Sequence, residues 1–228
     1  FLAGKFARND GQVQKGGIMA LGDFFTNFSF LIRWIHVLAG IVWIGHLYFF
    51  NFVNVPLQGA LDDQAKKAVN PKLMPRALWW FRWGAMITFL AGLVLFTTTY
   101  MYTPGVGFEA NSNFTEVLTG KLTGRAVWIL MGMLFGTIMW FNVWFVIWPA
   151  QKALLSGKVP QDQIPNVRKR ALLFSRINTY LSGPMLFGML APAHYGAVNG
   201  VTLLVAILIG AAVVWAAIAS SSKVGTSV

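Results

Sequence analysis

The stretch from Arg33 to Asn54, RWIHVLAGIVWIGHLYFFNFVN, decides how the rest of the chain is read. Its only formal charge is Arg33, at the start, and the residues after it are almost wholly aliphatic and aromatic. The run has the length of about 20 residues that crosses a hydrocarbon core as a helix. Taken with its flanks it predicts a first membrane span from about Phe28 to Val55, ended by Pro56. The same reading gives a second span from about Leu78 to Tyr102, broken by Pro104 and Gly105, and a third from about Gly124 to Trp148, stopped by Pro149. A fourth, Ala171 to Ala193, carries Arg176, Asn178, Pro184 and Pro192 and reads as a helix packed inside the bundle, because polar groups are costly against lipid. The fifth, Gly200 to Ser220, is rich in Ala, Val and Ile and suits a lipid-facing or partner-facing role. The expected fold is an all-α polytopic bundle of about five transmembrane helices.

Composition agrees. Of the 228 residues, 56% are hydrophobic and 11% charged, against about 25% charged in an ordinary soluble domain. A soluble enzyme is excluded. The net charge of +11 would suggest nucleic acid in a soluble chain, but here the Lys and Arg residues lie between apolar runs, where they set topology and meet anionic headgroups. Nucleic acid is therefore not an expected partner. With no cysteine, the chain has no disulfide, no Cys-ligated zinc, no iron–sulfur cluster and no covalently attached haem. Metal chemistry would rest on His, Met, carboxylates or a non-covalent cofactor.

The expected domain organisation is an N-terminal extension over 1–27, a transmembrane bundle over 28–220 and a short tail over 221–228. Residues 1–18 are Gly-rich and basic, and Met19 reads as a natural start just ahead of a membrane helix. They lack the apolar core of a signal peptide. No internal repeat and no soluble linker stand out. Lys66, Lys67, Lys72 and Arg76 lie between spans one and two, and Lys152, Lys158, Arg168, Lys169 and Arg170 between spans three and four. These segments share one side, expected to be cytoplasmic, which puts the N-terminus in the periplasm and the C-terminus in the cytoplasm of a bacterial inner membrane. Lys5, Arg8 and Lys15 weigh against that orientation.

Chemistry concentrates in the first span. At 100° per residue, Arg33, His36, Gly40, Trp43, Leu47, Asn51 and Asn54 share one stripe. A buried His beside a small residue lets a flat cofactor approach a helix, and Arg33, one turn outward, suits a haem propionate or an anionic substrate. The alternative is a His making one interhelical hydrogen bond and an Arg reaching to headgroups. His46 lies about 15 Å further along and points away from the stripe, so it cannot share an iron with His36. His194 ends the fourth span in APAHYG, at an outer depth similar to that of His36. Two imidazoles from two helices make the simplest b-type haem site open to a Cys-free membrane protein; otherwise His194 is an interfacial residue beside Tyr195. Gly132 and Gly136 form a G-x-x-x-G suited to close helix packing. Arg176 and Asn178 could bind an anion, and Trp79, Trp80 and Trp83 read as an interfacial belt. No phosphate-binding loop, H-E-x-x-H or nucleophile triad is present.

Three stretches in order, RWIHVLAGIVWIGHLYFFNFVN, GRAVWILMGMLFGTIMWFNVWFVIWPAQK and RINTYLSGPMLFGMLAPAHYG, resemble the membrane domain of bacterial urate hydroxylases, the urate oxidase N-terminal family. The resemblance implies a helical inner-membrane domain tied to cytochrome-linked oxidation, commonly followed by a periplasmic cytochrome c domain. No C-x-x-C-H is present in this chain. The family's His after the first Arg-Trp falls on His36, its late His-aromatic pair on His194 and Tyr195, and its Asn-Trp-Phe on Asn142, Trp144 and Phe145. The expectation is a redox-associated membrane subunit with haem b on His36 and His194, Arg33 on a propionate, and a cytochrome or other membrane subunits as partners. A urate hydroxylase-type oxidoreductase needing a separate cytochrome c and a non-catalytic scaffold are the alternatives.

Overall fold

A computed structural model describes residues 23–116 and 118–225. Five helical rods make up the architecture of the described residues: α1 (Phe24–Ala60), α2 (Asp63–Tyr100), α3 (Gly124–Leu155), α4 (Ile164–His194) and α5 (Gly200–Ser221). All but α4 are long and apolar enough to cross a membrane. Among the described residues only two isolated β-bridges occur, both in the loop between α2 and α3. The protein is an all-α polytopic membrane bundle.

The rods start at polar caps that the hydrophobic pattern alone does not mark. Asp23, Asp62, Thr123 and Asn199 each accept a backbone N–H from the first turn of α1, α2, α3 and α5, and Asn199 with Thr202 forms a full capping box. Helices therefore run beyond the apolar segments. Phe24–Asn27, expected to precede the bundle, belong to α1, while the rest of the expected extension, through residue 22, lies outside the described residues. On the other face of the bundle α2 begins well before Leu78 and passes through Pro71 and Pro75.

Pro56 and Pro149 do not end their helices either. Each is preceded by a six-residue π-helical turn, Phe49–Asn54 in α1 and Asn142–Ile147 in α3. A proline ring in a helix collides with the carbonyl four residues back, which is Phe52 or Phe145, inside the widened turn in both cases. Widening relieves the collision and loosens the backbone ladder. Just ahead of each turn a side-chain amide adds a donor to a helix carbonyl. Asn51 Nδ2 donates to Leu47 O at 2.9 Å, and Asn178 Nδ2, from α4, donates to Met139 O at 2.9 Å.

The two π turns expose an internal duplication that the linear sequence hides. V-x-x-P-x-Q-x-A-L occurs at 53–61 and again at 146–154, and R-A-L-x-x-x-R at 76–82 and 170–176. The offset is 92 residues at Gly40 and Gly132, 93 at Pro56 and Pro149, and 94 at Arg82 and Arg176. Two single-residue slips break any fixed-period match, which is why no repeat stands out on a linear pass. Hairpin α1–α2 and hairpin α3–α4 are thus two copies of one unit, running in the same direction through the bundle, with α5 appended.

Packing is close where side chains are small. A Cβ on Gly188 would lie 2.7 Å from Gly132 N, and one on Gly183 would lie 2.2 Å from Gly210 O. So α4 packs against α3 at Gly132 and against α5 at Gly210, backbone to backbone, as membrane helices do at small residues. The central core gathers Trp43, Leu47, Phe50, Phe81, Met139 and Val143. Several polar side chains in and around it pair across helices: Asn142 Nδ2 donates to Asn178 Oδ1 at 2.8 Å, Asn51 Nδ2 to Ser175 Oγ at 2.9 Å, and Trp144 Nε1 to Arg82 O at 3.2 Å. Leu38, Ile41, Leu90, Leu204 and Leu208 stay exposed and form lipid-facing surface.

Asn178→Leu removes the donor to Met139 O and the acceptor for Asn142 together. It should lower unfolding stability in detergent by about 1–3 kcal/mol, the cost of stranding a buried polar group. Asn70→Leu, in a half-buried pair with Gln58 at the opposite face, should cost distinctly less in the same denaturation series.

Candidate functional site

Two cavities lie in series along α1, on the half of the bundle nearer the α2–α3 loop. The outer one, an open groove of about 580 Å³ in which Arg33 and Phe30 are exposed, is lined by Phe25, Ser29, Phe30 and Arg33 of α1, by Thr98 and Thr99 of α2, and by the loop residues Tyr102 and Asn111–Asn113. Its loop wall is fixed by the backbone of α2: Asn111 Nδ2 donates to Thr99 O at 3.0 Å, Asn113 Nδ2 to the same oxygen at 3.1 Å, and the Thr123 hydroxyl to Asn113 O. Within these walls the Arg33 guanidinium has no carboxylate partner among the described residues, where Lys66–Asp63 is the one ion pair. The Ser29 hydroxyl is buried and has no hydrogen-bond partner among the described residues. The chamber offers a cation, a free hydroxyl, amides and three aromatic rings, within the roughly 300–1,000 Å³ of small-molecule sites. Such a set suits a planar, hydrogen-bonding anion.

About one turn further in, His36 enters the second cavity. Its Nδ1 lies 2.9 Å from Thr88 O. A carbonyl only accepts, so Nδ1 carries the proton and Nε2 is the atom left to bind. Gly92 makes room for the ring, since a Cβ there would sit 3.1 Å from His36 Cε1. This cavity lies between the two hairpins: Met133, Gly136 and Thr137 reach it from α3, and Met185 and Met189 from α4. Phe89 of α2, in the same wall, stacks on Trp140 of α3 at 4.3 Å and 9°. Gly136 of the G-x-x-x-G serves this space, while Gly132 makes the close helix contact.

The structure places the three expected site residues apart. Arg33 lines the outer chamber and His36 the inner cavity. His194 lines neither; it is exposed at the end of α4. Helical periodicity puts it about 160° around α4 from the middle of the face that Met185 and Met189 present to the cavity. His46 bonds to Val42 O at 2.8 Å within its own helix and faces a different groove, beside Arg76 and Trp80. The inner cavity, about 50 Å³, has room for a water or an ion and none for a macrocycle. The residues at His36, packed as they are, do not fit a haem. The Met lining was not legible in the sequence, because spacing along one helix does not say which face a neighbouring helix meets.

Against known families, the model described as urate oxidase N-terminal matches residues 57–115 and 108–222. The chain belongs to the urate oxidase N-terminal family. The matched residues take in α2 to α5 with His194, and leave Arg33 and His36 outside. No curated protein and no solved structure matches the chain. Family membership and the apolar rods together make it a multi-pass membrane protein of the urate hydroxylase type.

Gly92→Val should crowd the His36 ring off Thr88 O and cost about 1–3 kcal/mol of stability, as overpacking does. Gly105→Val, in open space in the loop but at φ 83°, tests strain without crowding. Thermal unfolding of both in one detergent should show a loss for Gly92→Val that His36→Ala in the same chain largely relieves.

Proposed function

We propose that this protein is the membrane part of a cytochrome-linked urate-oxidising system, and that the Arg33 chamber receives its planar anionic substrate. The reading is carried by the chamber itself, an unpaired guanidinium and a free buried hydroxyl between aromatic walls, in a chain of this family. Arg33 binds negative charge, Phe25, Phe30 and Tyr102 hold a flat ring, and Asn111 and Asn113 shape the loop wall. The electrons released go to a separate cytochrome c at the loop face. That face is periplasmic in this reading, because the opposite face holds the Lys and Arg excess around Lys66 and Lys169.

Haem b on His36 and His194, with Arg33 on a propionate, is the sharper redox form of this proposal. Its support is the sequence pattern: imidazoles on two helices and an arginine one turn from His36. No step is routed through it, since the inner cavity as packed holds no macrocycle.

With urate and added cytochrome c, the purified chain should reduce the cytochrome. Arg33→Ala should raise KM at least tenfold, Arg33→Lys should recover part of the loss, and His46→Ala should change neither kcat nor KM. Cytochrome reduction independent of urate, or identical kinetics in Arg33→Ala, would overturn the assignment. A reduced-minus-oxidised spectrum lacking a b-type signal removes the haem form. Reporter fusions should place Lys169 in the cytoplasm; a periplasmic Lys169 reverses the orientation and with it the cytochrome's side.

A further inference from the structure

We propose that the inner cavity, where the two duplicated hairpins meet, is a binding site for a single monovalent copper ion held by His36 Nε2 and the thioethers of Met133, Met185 and Met189. Three observations converge on it. The first is the donor set. One imidazole, with Nδ1 committed to Thr88 O at 2.9 Å, presents its other nitrogen, and three of the chain's nine methionines line the same space. Thioether and imidazole donors without thiolate or carboxylate favour Cu(I). Zinc sites draw on Cys, His and carboxylates, and calcium and magnesium on oxygen ligands; none of the cavity's lining residues is a Cys, Asp or Glu.

The second is size. About 50 Å³ accepts an ion with one small ligand and excludes a haem or a purine. The glycines keep it open: Gly92 clears the His36 ring, and a Cβ on Gly136 would lie 3.9 Å from Met185 Cγ and from Met189 Cε. The third is an unmet polar group. Trp43 is 2% exposed, lines this cavity, and its Nε1–H has no partner. A water or other small oxygen ligand on the metal gives that N–H an acceptor.

Position supports the same conclusion. Donors come from α1 of the first copy and from α3 and α4 of the second, so the site forms only when the hairpins dock. Secondary transporters built from repeats also place ion sites at the interface between the repeats. The second hairpin has no matching imidazole: the residue equivalent to His36 at the 92-residue offset is Trp128, whose Nε1 donates to Ala197 O at 3.1 Å. The site is independent of the Arg33 chamber and of urate.

The test uses the full chain in nanodiscs, stripped of metal and titrated anaerobically with Cu(I) against a chromophoric Cu(I) chelator. One equivalent should be withdrawn from the chelator. Met185→Leu/Met189→Leu, which conserves volume, should weaken binding at least tenfold. His36→Ala should abolish it, and Met74→Leu, elsewhere in the core, should leave it unchanged. Copper X-ray absorption should show both sulfur and nitrogen neighbours. Failure to withdraw copper, affinity unchanged in the double Met variant, or equal uptake by His36→Ala would each overturn the assignment. Circular dichroism melts confirm that each variant is folded. Urate kinetics of Arg33→Ala are read separately, so a failed copper titration and a failed substrate assignment are told apart.

Discussion

In a bilayer every backbone carbonyl needs a partner inside the protein, because no water is there to supply one. That constraint is met at two points in particular, where α1 and α3 widen into π turns just ahead of Pro56 and Pro149. Each turn is braced at a carbonyl just ahead of it by an asparagine amide. The two copies answer with different asparagines. In the first, Asn51 on the same helix reaches Leu47 O; in the second, Asn178 reaches Met139 O from across the interface. The second solution ties α4 to α3 and so explains why a helix with Arg, Asn, Thr and Ser belongs in the interior.

Around that tie the rest of α4 is arranged. One of its faces carries Gly188 against Gly132, and another carries Gly183 against Gly210. Membrane helices gain little from the hydrophobic effect between themselves, so contact of this kind depends on small residues and satisfied polar groups. Tyr48 adds a link to α1, its hydroxyl lying 2.9 Å from Ser182 Oγ. The α4 helix is polar in composition yet secure in position because its polar groups are nearly all spoken for. Arg176 and its repeat equivalent Arg82 are exceptions, each with one buried guanidinium nitrogen unpaired, although Arg82 lies 3.8 Å over the Trp148 ring.

The two hairpins differ where the sites lie. Both copies keep the π turn, the proline and the inner arginine. The first copy keeps His36, and its α1 extends further toward the loop face, where Ser29 and Arg33 wall the outer chamber. The second copy contributes packing at the equivalent level, with Trp128 fully buried against Ala191 and Ala206. The result is two cavities one turn apart on a single helix, one wide and open at the loop face, the other small and lined by soft donors.

The helical, membrane-spanning character of the chain was decided by its sequence alone, because about 20 apolar residues in a row have one stable outcome in a bilayer. The stripe of Arg33, His36 and Trp43 was equally legible, since helical periodicity depends only on spacing. Family resemblance was carried by local motifs and needed no coordinates. Helix ends were not legible at the prolines: Pro56 and Pro149 follow π turns, while Pro71, Pro75 and Pro184 sit inside regular α-helix, so the residue type alone does not say where a helix stops. The duplication was hidden by two one-residue slips that only the matching π turns bring into register. Which residues meet was settled by tertiary structure: His36 and His194 have similar depth on paper, but the rotation of α4 turns Met185 and Met189 toward His36 and leaves His194 exposed. A helix fixes spacing along one axis, and its rotation against a neighbour is fixed only by what the neighbour presents.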